Sequence, residues 1–219
     1  MSDVSIPFGI TPPDALYELA EAMRGVVEQM VRIDEPHPEL ARAQEEVEAI
    51  AERLDGIARK GVHPRMLPNS EPNALDARPY YPGDATRWHC NPFHPPLELE
   101  RKGDKMLRGR FRLGLTHEGP PGCAHGGYVA MVFDQVLGHA NVLFGIPGLT
   151  ARLVVRYRRP TPLFEELVLE TDAPQVMGAR RCVVKGRILH DGLVTASGEC
   201  LFSRPDVEFT DLALLGSQR

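Results

Sequence analysis

The sequence predicts an α+β domain, an antiparallel sheet curled around one buried helix, with a helical hairpin in front of it. Segments near 106–115 and 150–159 alternate apolar and polar residues with the two-residue period of strands, and 167–171, 180–190 and 193–203 supply three more. The stretch from Gly126 to about Phe144 is apolar on nearly every face, and no crossover helix separates the last four strands. A chain of 219 residues with 42% hydrophobic content can bury such a core and still carry an appendage.

The first helix begins at Thr11-Pro12-Pro13-Asp14, where Thr11 can cap, Pro12 suits the first helical position and Asp14 complements the dipole. Leu16, Leu19, Met23, Val26 or Val27 and Met30 then fall on one face. Asp34-Glu-Pro-His-Pro38 breaks the helix. A second runs from about Pro38, with Leu40, Ala43, Val47, Ile50, Leu54 and Ile57 spaced as a heptad seam. Two apolar stripes need partners: each other, the following domain, or another subunit. From Gly61 to Arg101, recurrent prolines make an irregular connector whose last third packs through Trp88, His89 and Phe93.

Beyond the connector, Met106 to Leu115 sets Leu107, Gly109, Phe111 and Leu113 opposite Arg108, Arg110 and Arg112. A Gly/Pro loop, Glu118 to Gly122, leads into the buried helix, which Gly145 and Pro147 end. Thr150 to Arg159 sets Leu153, Val155 and Tyr157 opposite Arg152, Arg156 and Arg158. Asp191-Gly192 joins the last two strands as a hairpin. The expected division is a hairpin over 1–60, a connector over 61–101, the sheet domain over 102–204 and a tail over 205–219.

Composition excludes several functions. A net charge of −5 and a pI near 5.9 give no field that gathers nucleic acid or an anionic membrane surface. No stretch supplies the roughly 20 apolar residues of a membrane span. The first residues have neither a signal peptide's regions nor a basic transit segment, so a cytoplasmic protein is expected. Cys90, Cys123, Cys182 and Cys200 are scattered without a CxxC, which points to reduced thiols. His89, Cys90 and His94 lack a second ligand cluster, and no phosphate loop, dinucleotide fingerprint or GxSxG elbow occurs. Neither metal nor cofactor is expected.

One residue is out of place. Asp134 is a carboxylate among Val132, Phe133, Val136 and Leu137, costly to bury unless it is paired, protonated or useful. Either it lies on a wet stripe or pairs with Arg152 or Arg156, or it performs chemistry. His125-Gly126-Gly127 stands where the loop becomes that helix. The first N–H groups there lack intrahelical partners and the dipole favours negative charge. Two glycines let a carbonyl approach those donors, as an oxyanion hole needs, or they only permit a sharp turn. Gly127 and Asp134 are seven residues apart, about 10 Å along a helix, too far to converge on one carbonyl within one chain. If they cooperate, the site lies at a two-fold interface.

Gly122-Cys-Ala-His125-Gly126-Gly127, Asp134 nine residues after the histidine, Thr150 at the next strand's start and Val154-Val155-Arg156-Tyr157-Arg158-Arg159-Pro160-Thr161-Pro162 together resemble the PaaI-type branch of the hot-dog acyl-CoA thioesterases. The resemblance spans about Asn91 to Ser203 and leaves the N-terminal hairpin outside. It implies a homodimer with a continuous sheet, often associating further into a dimer of dimers, that hydrolyses acyl-CoA to free acid and coenzyme A. It also implies that Asp134 is general base or nucleophile, that the N–H of Gly127, with Gly126, polarises the thioester carbonyl, that Thr150 positions Asp134 or water, and that His125 orients loop or substrate. Relatives often carry an Asn before the HGG. Here that loop has none, and Glu118 is the candidate substitute. Arg156, Arg158 and Arg159 either bind the coenzyme A phosphates or form a solvated strand face. A non-catalytic acyl-CoA binder and an enoyl-CoA hydratase are the rival readings.

Overall fold

The computed structural model describes residues 14–58, 91–146 and 148–204. Two helices, α1 (Asp14–Met30) and α2 (Glu39–Asp55), precede strands β1 (Leu97–Lys102) and β2 (Met106–Phe111). A short 3-10 turn (Leu115–His117), the long helix α3 (Gly126–Phe144) and strands β3 (Leu149–Tyr157), β4 (Leu167–Thr171), β5 (Gln175–Met177), β6 (Arg181–His190) and β7 (Leu193–Ser203) follow. The strands form one antiparallel sheet in the order β1-β2-β4-β6-β7-β3, with β5 pairing β6. The expected α+β layout is the observed one.

Strands β1 and β5 are additions to the five expected. Leu97-Glu-Leu-Glu alternates, and its register runs from Leu97 opposite Phe111 to Lys102 opposite Met106. The prolines just before it led the connector reading too far, so the sheet begins before residue 102. The β6–β7 hairpin turns through Asp191 and Gly192 at φ 47° and 74°, as the Asp-Gly pair requires.

Helix α3 lies against the sheet and buries Val129, Val132, Phe133, Val136, Leu137 and Ala140. Glycines make room for it. Gly186 and Gly198 face each other across β6 and β7, and a Cβ on Gly198 would lie 2.6 Å from the Phe133 ring. Deleting a buried phenylalanine of this kind costs about 3–5 kcal/mol.

The two N-terminal helices do not zip together. Helix α1 packs on the sheet domain: Ala20 is buried, Arg24 donates to the carbonyls of His94 and Asn91, and Glu28 accepts from the N–H groups of Leu115 and Thr116 at 3.3 and 3.4 Å. Helix α2 has no buried residue. Thr11, Pro12, Trp88, His89, Cys90, Pro147 and the tail lie outside the described residues. No helix among the described residues is long and apolar enough to cross a membrane.

Candidate active site

The start of α3 is held from three sides. His125 is its N-cap: the backbone is extended there, at φ −64° and ψ 134°, and Nδ1 accepts from the Gly127 N–H at 3.0 Å. The backbone N–H of His125 donates to the His117 carbonyl at 2.8 Å, and the His117 ring stands edge-on to Tyr128 at 4.7 Å. From β3, the Tyr157 hydroxyl donates to the Gly126 carbonyl at 2.7 Å. A Cβ on Gly126 would lie 3.1 Å from that hydroxyl, and one on Gly127 3.0 Å from the His125 ring. Neither glycine has a positive φ. Both are therefore glycine for close approach rather than for a left-handed turn. The Gly127 N–H already has an acceptor in the chain, whereas that of Gly126 has none among the described residues, leaving Gly126 as the open donor of an anion-favouring helix end.

Asp134 sits two turns further along and is half-buried. Sequence alone made it a buried acid, but the helix surface it occupies is only partly covered by this chain. Neither Arg152 nor Arg156 pairs with it among the described residues, and Arg152 points instead to Glu199, 3.9 Å away. Its partner is Thr150, whose Oγ1 donates to Asp134 Oδ1 at 2.9 Å. Strict alternation along β3 would send Thr150 to the same face as Arg152 and Arg156, away from the helix. A β-bulge prevents this: Thr150 pairs with Phe202 and Arg152 with Leu201, so Ala151 is the extra residue. Thr150 thereby joins Leu153, Val155 and Tyr157 on the helix side.

One search of known proteins gave no match to any family model. Acyl-coenzyme A thioesterase THEM4 from Mus musculus and that from Xenopus laevis are each 30% identical over 79 residues, 36% of this chain. The chain spans about a third of the length of these curated relatives, 34% and 36% respectively. A solved structure described as a thioesterase superfamily protein is 35% identical, covers 89% of this chain and 97% of its own, and superposes with a TM-score of 0.73. The chain belongs to the thioesterase superfamily. Its curled antiparallel sheet around α3 is the hot-dog fold of that superfamily.

In this thioesterase-superfamily chain a third residue joins the Asp134–Thr150 pair. Cys200, buried on β7, lies under Thr150 with Sγ 3.9 Å from Oγ1. Burial pushes its thiol up to about 12, the Thr150 contact opposes this and the Asp134 charge adds to it, so Cys200 stays a neutral thiol. Only the register of β7 opposite β3 exposes this neighbour, and β7's alternation gave no hint of it. Glu118 is committed elsewhere: its carboxylate accepts from the Gly122 N–H at 2.7 Å and shapes the loop before the helix. The arginines divide. Arg158 and Arg159 both donate backbone N–H to the Thr195 carbonyl, and the Arg159 guanidinium docks on the Val194 carbonyl at 2.8 Å. The side chains of Arg156 and Arg158 are exposed, beside the Tyr157 that touches the helix start.

Proposed function

We propose that the chain hydrolyses acyl-CoA thioesters as a homodimer of the PaaI type, with Asp134 of one subunit and the α3 start of the other facing one thioester. The observation that carries this reading is the Thr150–Asp134 hydrogen bond, which ties a partly exposed carboxylate of α3 to strand β3, whose outer edge is unpaired among the described residues. A thioester is already activated, so one oriented carboxylate and one oxyanion site suffice. Asp134 attacks the carbonyl carbon directly or takes a proton from the attacking water. The N–H groups of Gly126 and Gly127 hold the carbonyl oxygen as it becomes an anion, Gly127 on release from His125. Coenzyme A leaves as the C–S bond breaks: in the water route its sulfur takes the proton that Asp134 accepted, and in the direct route its sulfur is protonated from solvent and water then hydrolyses the acyl anhydride on Asp134 to free acid. Thr150 orients the carboxylate, His125 shapes the donor loop, and Arg156, Arg158 and Arg159 meet the phosphates of coenzyme A.

Helix geometry supports the dimer. Gly126 and Asp134 are eight residues apart, about 12 Å along α3, so two copies of the helix are needed to bracket one carbonyl. Strand β3 is an outer strand of the sheet and, among the described residues, pairs only with β7, which suits continuation into a second subunit. A hydratase reading has less support: His139, the other histidine of α3, has Nδ1 2.9 Å from the Gln135 carbonyl one turn earlier, and His125 is turned to Gly127.

The test is thiol release from a panel of acyl-CoAs. Release by the wild type, lost in Asp134→Asn with folding intact, is expected. Binding without release by the wild type overturns hydrolysis in favour of an acyl-CoA binder.

A further inference from the structure

Helix α2 is the one described α-helix with nothing buried, yet its sequence is built for a partner. Leu40, Val47 and Leu54 are 41, 37 and 38% exposed and Ile57 83%, although with Ala43 and Ile50 they occupy successive a and d positions of a heptad. Helix α1 does not cover them, because its Arg24 and Glu28 tie it to the sheet domain instead. We propose that this seam docks on α2 of a second copy of the chain, the two helices running antiparallel.

The side chains flanking the seam choose that occupant. In an antiparallel pair each a residue meets a d residue: Leu40 meets the partner's Ile57, Val47 the partner's Ile50 and Leu54 the partner's Ala43, so every layer between Leu40 and Ile57 is filled. The g positions then face each other, bringing Glu46 against the partner's Arg53 and Arg53 against the partner's Glu46. Among the described residues Glu46 has only Arg42 of its own helix, 3.5 Å away, with both side chains largely exposed. The e positions are Gln44 and Ala51, which carry no charge to oppose the contact. A parallel pair would set g against e, placing Glu46 against Ala51 and Glu39 against Gln44, with no ion pair. The remaining charges, Arg42, Glu45, Glu48, Glu52 and Asp55, fall on the outward b, c and f positions. Seventeen residues span about 26 Å, a marginal coil by itself, so the contact gains from any other association that makes it intramolecular.

The contact is independent of the thioester chemistry and is tested without it. In the full chain, Leu40→Cys and Ile57→Cys are made singly and together, oxidised mildly beside the wild type, and the linked peptides are mapped. In the double variant a disulfide is expected between the substituted position 40 of one chain and the substituted position 57 of another, since position 57 lies in the turn just past the end of α2, about 26 Å from position 40, and the two are not bridged within one chain. Each single variant should form little dimer. Self-linkage of either single variant, as a parallel pair would give, overturns the proposal. So does the absence of that cross-link in the double variant, the result expected if another segment of the same chain covers the seam. Adding Glu46→Arg should lower the linked fraction about threefold to tenfold, and adding Arg53→Glu as well should restore it. Equal yields in all three overturn the charge assignment.

Discussion

Helices α3 and α2 are similar in length, 19 and 17 residues, and both carry apolar residues at helical spacing, yet one is wrapped and the other bare. The sheet surrounds α3 because glycines in β6 and β7 admit its side chains and because apolar residues cover more than one of its faces. Helix α2 offers a single narrow seam between charged faces, and no strand among the described residues lies over it. Apolar spacing therefore defines a surface that needs covering without saying which chain covers it. Asp134 belongs between these cases: it lies on the wrapped helix, but on the part its own chain leaves open.

Four substitutions sharpen that contrast. Phe133→Ala on α3 should cost about 3–5 kcal/mol in urea unfolding followed by circular dichroism. Val47→Ala on α2, at equal dilute concentration, should leave the sheet domain's unfolding within about 0.5 kcal/mol. A large loss in the second would mean that α2 belongs to the core. Thr150→Ala should lower kcat about tenfold while Thr150→Ser retains it, because only the hydroxyl reaches Asp134.

The smallest effect concerns the outer face of the sheet. The Lys102 ammonium, with Arg108 and Arg187, holds the Glu170 carboxyl at about 2 against burial, from an ordinary 4.5. A carboxyl depressed on folding stabilises above its unfolded value, and this contribution is lost as pH falls toward the folded one. Glu170→Gln should therefore cost about 1 kcal/mol at pH 7, with the difference shrinking between pH 4.5 and 2. A difference independent of pH would remove the ion cluster as its cause.

Much of the fold was legible because period-two alternation and an all-apolar helix are strong local signals, and Asp191-Gly192 marked its hairpin. Strand β1 was hidden by neighbouring prolines. The pairing of Thr150 with Asp134 was legible only through the family resemblance, since plain alternation puts Thr150 on the wrong face and a one-residue bulge leaves no mark in composition. Cys200 was not legible at all: its place under Thr150 follows from strand register, which links residues 50 positions apart. The glycines at 126 and 127 were singled out for substrate approach, and the structure adds that Tyr157 and His125 occupy the same space.

The central claim, that each site takes its carboxylate from one chain and its donors from another, is tested most directly by subunit complementation. Asp134→Asn removes the carboxylate. Gly126→Pro removes the open N–H at the first helical position, where proline is tolerated and the extended His125 before it suits proline, with Tyr157 shifting by a few tenths of an ångström. Each variant alone should be inactive. Mixed in equal amounts and allowed to exchange subunits, they should recover about one quarter of wild-type turnover, since half the dimers are hybrids with one intact site each. No recovery, with hybrid dimers confirmed by mass, would contradict the shared site.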